Sequence, residues 1–171
     1  DYAYFSSFSD AFLQHAKNYV DMAVERFGLG PRSYVVEIAS NDGYLLKNFV
    51  KRGIEVLGIE PAQNVAEVAV KQGIPSCVKF FGAQTAQELV SEQRRPDLII
   101  GNNVLAHVPD LNDFVAGLKT LLAPEGTITI EFPHLLHLMA LNQFDTIYHE
   151  HFSYFSLNTV MQVFAKHGLT I

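Results

Sequence analysis

Cysteine is almost missing from this chain: Cys77 stands alone among 171 residues. A single thiol excludes an internal disulfide framework and a cysteine-rich zinc site. Basic residues are scarce too, 12 Lys and Arg against 18 Asp and Glu, for a formal net charge of -6. Nucleic acid and anionic membranes are recognised through clustered cations, and the only basic pairs here are Lys51-Arg52 and Arg94-Arg95. No apolar run reaches the roughly 18 residues of a membrane span, and no basic-then-apolar leader opens the sequence. These gaps point to a cytoplasmic protein with neither nucleic acid nor membrane as partner. What is present, 49% hydrophobic and 18% charged residues, suits one globular domain with a buried core.

Apolar residues at helical spacing (Phe12, Leu13, Ala16, Tyr19, Val20, Ala23, Val24, Phe27) predict an amphipathic helix over 9–27, capped by Ser9 or Asp10 and stopped at Gly28. Four runs rich in β-branched residues, 33–39, 55–60, 97–102 and 127–132, suit strands buried on both faces of a parallel sheet, and 76–81 is a weaker fifth. Helical patterns fall at 44–52, 62–72, 83–93, 111–123 and 158–168. This alternation predicts an α/β fold, a doubly wound and mostly parallel sheet. Residues 1–30 read as an aromatic arm and a helix, and 31–171 as a Rossmann-like core. "GLTI" (168–171) reads as the start of a sixth strand, cut short.

In an open α/β sheet, ligands bind at the carboxyl ends of the strands. The first such end reads "EIASNDGYLL" (37–46). Where a dinucleotide loop needs G-x-G-x-x-G, only Gly43 is a glycine, and Ala39 and Asn41 hold the other turn positions. The loop is a poor pyrophosphate cradle, and Glu37 at its base suits a ligand with an ammonium group. Glu60 ends the second strand, where a carboxylate can take both hydroxyls of a ribose. A nucleoside without phosphates satisfies both features, and S-adenosyl-L-methionine is one.

"VVEIASNDGYLL", "GIEPA", "NNVLAHVPDLNDFV", "TITIEFPHLLHL" and "FDTIYHEHFSYFS" together resemble the NDP-hexose C-methyltransferases, class I S-adenosylmethionine-dependent enzymes that C-methylate keto-deoxysugars. The resemblance runs over nearly the whole chain, and "YHEH" is its most specific part. It implies that Glu37, Ala39, Asn41 and Gly43 border the methionine moiety and that Glu60 holds the ribose. Phe81 and Gly82 would flank the adenine, with Asn102 and His107 near the transferring methyl. It also implies an N-terminal zinc module and a C-terminal domain in the full-length protein, neither of which this chain contains.

Methylating a carbon beside a ketone requires removal of a weakly acidic C–H proton and stabilisation of the resulting enolate. Histidine suits the first task and a tyrosine hydroxyl the second. His151 is therefore the expected base, Tyr148 an enolate contact, and Glu150 an orienter of the imidazole or a sugar contact. Tyr4, His149 and Asp145 are candidate substrate contacts. His149 and His151 would face one way in an extended segment, but the H-E-x-x-H zinc spacing is missing, and the reading assigns no metal. His134 and His137 read as packing or helix-end residues, His15 and His167 as surface ones. Three alternatives stay open: an O- or N-methyltransferase, an NAD-binding oxidoreductase, and a non-catalytic cofactor-binding fragment.

Overall fold

A computed structural model describes residues 5–92 and 95–171. Its sheet has the order β3-β2-β1-β4-β5, built from β1 (Tyr34–Ile38), β2 (Glu55–Ile59), β3 (Ser76–Cys77), β4 (Leu98–Asn102) and β5 (Thr127–Glu131). β1 pairs in parallel with both β2 and β4, and β2 with β3. The order turns back at β1, so the carboxyl end of that strand is where an open α/β sheet offers a ligand site. All five β1 residues are buried, which is why their run is apolar apart from Glu37.

Residues cluster into two compact units. The first comprises Asp1–Phe80, Arg95–Ile100 and Leu122–Thr127. Its core packs Ala16, Val20 and Ala23 of α1 (Asp10–Phe27) with Val35, Leu45, Phe49, Val56, Leu98 and Ile100. Each large apolar side chain fully removed from water there contributes about 1.5–3 kcal/mol. α1 begins where the Ser9 hydroxyl accepts the Phe12 N–H at 3.3 Å and ends at Gly28, whose φ of 63° is left-handed. The helix expected over 44–52 shrinks to α2 (Lys47–Val50). Asn48 is the reason: its Nδ2 donates to the carbonyls of Tyr44 and Leu45, and its own N–H reaches Leu45 rather than Tyr44. α3 (Gln63–Lys71) then precedes β3, which stops after two residues where Lys79 N–H turns back to Cys77 O.

The second unit comprises Phe81–Arg94, Gly101–Leu121 and Ile128–Ile171. α4 (Ala83–Glu92) and α5 (Leu111–Leu121) pack closely because Gly82 and Gly117 lack side chains. A Cβ on Gly117 would lie 2.7 Å from the Gly82 carbonyl carbon. α6 (Leu135–Ala140) and α7 (Leu157–Lys166) follow, the latter capped by Ser156. Residues 169–171 form no strand. Among the described residues no helix is long and apolar enough to cross a membrane.

Candidate active site

β1 delivers Glu37 to the base of a loop whose backbone is left-handed at three alternate residues: Ala39 (φ 56°), Asn41 (φ 50°) and Gly43 (φ 77°). The conformation glycine would favour is thus kept at all three turn positions, although only one holds glycine. Alanine there costs about 1–2 kcal/mol, and asparagine tolerates it better. The loop is held by its neighbours. Ser40 N–H donates to Ile59 O at 3.2 Å, and Asn41 N–H to Glu60 Oε2 at 3.0 Å. Glu60 Oε1 accepts the Ala62 N–H at 2.9 Å, so both its oxygens brace backbone. Burial raises the Glu60 pKa, while these two N–H groups pull it back. Gly43 and Gly58 have no room for a side chain, the first against Ile74 and the second against Ser40 Oγ.

Two carboxylate oxygens in this loop, Glu37 Oε2 and Asp42 Oδ1, are buried without a hydrogen-bond partner among the described residues, as is Ser40 Oγ. Glu37 and Asp42 are each 1% exposed. Burial pushes the Glu37 carboxyl well above its ordinary pKa, and the nearby Asp42 and Glu60 charges push it further. Orphaned acceptors of this kind suit a cationic donor from a ligand. The arm closes over the same loop. Ser6 N–H donates to Asn41 Oδ1 at 2.9 Å and Ser7 N–H to Asp42 Oδ2 at 3.2 Å. Its serines therefore contribute backbone donors to the loop. Tyr4 lies outside the described residues.

The second unit gathers the imidazoles. After β4, half-buried Asn102 is followed by Asn103 (φ 53°), whose N–H and Nδ2 bond Glu131 O and Oε1 at 2.8 and 3.1 Å. The turn Leu105–His107 comes next, and Ala106 O accepts the Phe152 N–H at 2.8 Å, which fastens the "YHEH" segment to it. His151 lies among aromatic rings: its centroid is 4.3 Å from Tyr148, 4.7 Å from His107 and 5.9 Å from Tyr154. His151 Nδ1 sits 2.8 Å from the Thr146 carbonyl oxygen. A carbonyl only accepts, so Nδ1 carries a proton, and Nε2 is the nitrogen that can exchange one. Burial, then His151, lowers the His107 pKa, with opposition from the Glu150 charge and a backbone hydrogen bond to Glu150. Burial followed by Glu150 and Tyr154 raises that of Tyr148, which keeps its phenol protonated and able to donate.

The remaining candidates differ in exposure. His149 and Glu150 are exposed, and the ring of His149 meets that of Tyr148 at 6.4 Å. Asp145 is exposed inside the turn Phe144–Thr146. Phe81 stacks edge-on against Phe114 at 5.4 Å, and Gly82 abuts Asp113, which gives both a packing role. His134 caps α6: its Nδ1 faces the Leu136 N–H at 3.2 Å and its Nε2 the Leu157 N–H at 3.0 Å. One ring nitrogen carries a proton, so only one of these contacts is a hydrogen bond at a time. Asp42, Tyr154, the Asn103–Glu131 pair and the Thr146 carbonyl were not legible as site groups. Among the described residues no three His, Cys, Asp or Glu side chains are grouped to hold a metal ion.

Residues 12–171 match the methyltransferase domain family. C-methyltransferase NovU of Streptomyces niveus is 40% identical over 170 residues, which span 99% of this chain but 40% of that protein. A SAM-dependent methyltransferase from Archaeoglobus fulgidus shares the fold with a TM-score of 0.72 at 16% identity, over 91% of this chain and 68% of its own. The YcgJ protein of Bacillus subtilis does so with a TM-score of 0.66 at 14% identity, over 90% and 68%. The sequence match across 12–171, joined to a left-handed first loop with an acidic base, establishes that this chain belongs to the S-adenosylmethionine-dependent methyltransferase family.

Proposed function

We propose that the protein methylates carbon beside the ketone of a nucleotide-linked 4-keto-6-deoxyhexose, with His151 as the base. The observation that carries this reading is the orientation of the His151 ring, Nδ1–H held by the Thr146 carbonyl so that Nε2 is the nitrogen left to take a proton, with the Tyr148 phenol beside it. The likeness to a C-methyltransferase supports carbon as the acceptor.

S-adenosylmethionine supplies an electrophilic methyl on its sulfonium. On the protein's side, Glu37 and Asp42 would receive the cofactor's ammonium, which fits their orphaned oxygens. Each Glu60 oxygen accepts one N–H and retains a lone pair for a ribose hydroxyl. Ala39, Asn41 and Gly43 would line the methionine. His151 Nε2 takes the proton from the carbon next to the ketone, leaving an enolate whose oxygen the Tyr148 O–H stabilises. The enolate carbon would be the atom that accepts the methyl the bound cofactor supplies. His107, neutral at pH 7 because its pKa is depressed, adds no competing cation beside His151. Glu150 would orient the imidazole or touch the sugar, as would His149 and Asp145. Both co-reactants are cytoplasmic metabolites, and the activity is assigned to that compartment.

Incubation with S-adenosylmethionine and such a sugar nucleotide, followed by NMR location of the methyl, tests the proposal. A methyl on ring carbon is expected. A methyl on oxygen or nitrogen overturns C-methylation.

A further inference from the structure

The first loop holds an imbalance of charge. Glu37 is hemmed in by β1's neighbours, where its register partners are Gly58 and Ile100, neither of which titrates. The charged groups acting on it are Asp42 and Glu60, both carboxylates. Among its described residues the arm contributes backbone N–H groups, to Asn41 and Asp42. Three acids thus share a buried site, no cation among the described residues acts on Glu37, and two of their oxygens have no hydrogen-bond partner there. Like charges in low dielectric do not all ionise, and Glu37, on which burial and both neighbouring carboxylates act, is the one to give up its charge.

We infer that the cofactor-free loop stores a proton on Glu37 and that the ammonium of S-adenosylmethionine displaces it, so cofactor binding expels a proton into solvent. The inference rests on the methyltransferase reading and deepens it. The exchange balances: a neutral carboxyl and a cationic ligand become a carboxylate–ammonium pair and a free proton. Glu37 and Asp42 then act as a filter for ligands with a free ammonium group, because a nucleoside without one leaves both orphans buried. Affinity for such ligands rises with pH, by up to about tenfold per unit, until Glu37 ionises unaided.

Titration calorimetry of the 171-residue chain with S-adenosylhomocysteine, in buffers of different ionisation enthalpy near pH 6.5, reads the proton directly. About one proton released per ligand is expected. 5′-Methylthioadenosine, which lacks the amino-acid group, should release none, and Glu37→Gln should abolish release with S-adenosylhomocysteine. Binding of S-adenosylhomocysteine with the same heat in every buffer overturns the inference alone, as does undiminished release from Glu37→Gln. No binding of S-adenosylhomocysteine at all overturns the cofactor reading and the inference with it. If Glu37→Gln does not fold, the comparison of the two ligands on the native chain still decides.

Discussion

Glu37 carries a conflict between stability and binding that sets how the protein responds to pH. Its folded pKa lies above the value of the unfolded chain, so the protonated form favours folding. That contribution is complete below about pH 4.5 and is lost as pH rises through the raised folded value. Without cofactor, urea melts from pH 5 to 8 should show wild-type stability falling relative to Glu37→Gln, by at most about 1.4 kcal/mol per pH unit. Parallel profiles for the two proteins would contradict the buried, unpartnered placement of Glu37. At this scale the sequence was only half legible. The acidic residue at the foot of the loop was readable, but the left-handed turns at Ala39 and Asn41 were hidden, because neither is glycine and the Glu60 brace on Asn41 comes from another strand's end. Asp42 looked like any turn aspartate, and only burial distinguishes it.

Among elements, periodicity placed each strand and all the helices from α1 to α5, since both signals arise from which face is buried. It overextended α2 and β3, where short-range competition decides: Asn48 bonds back to Tyr44 and Leu45, and the chain turns at Lys79. The reading of His134 as a helix-end residue matches its position as the cap of α6. Close approach of α4 to α5 was not legible, because nothing in the pattern says which glycine faces backbone. Gly117→Ala would press a methyl onto the backbone at Gly82 and Ala83, which cannot give way as a side chain would. We expect it to lower stability by about 1–3 kcal/mol, read as a fall in the urea midpoint with unchanged m. An unshifted midpoint would mean that the two helices are not so close.

For the molecule as a whole, the left-handed acidic loop falls in the first compact unit and the imidazole cluster in the second. That division was not legible in the sequence, where 1–30 read as arm and helix and 31–171 as the core of one domain, although the acidic loop precedes "YHEH" by about 100 residues of alternating strand and helix. The orientation of the His151 ring was not readable, for it depends on the carbonyl of Thr146, a backbone atom common to every residue. The account stands on that imidazole as the base. Exchange of the proton beside the ketone of a nucleotide-linked 4-keto-6-deoxyhexose into deuterated buffer, followed by NMR with S-adenosylhomocysteine present, tests it without any methyl transfer. The native protein should catalyse the exchange, and His151→Ala should slow it by about 10²–10⁴-fold while its affinity for S-adenosylhomocysteine is unchanged. Exchange by His151→Ala at the native rate would contradict the account.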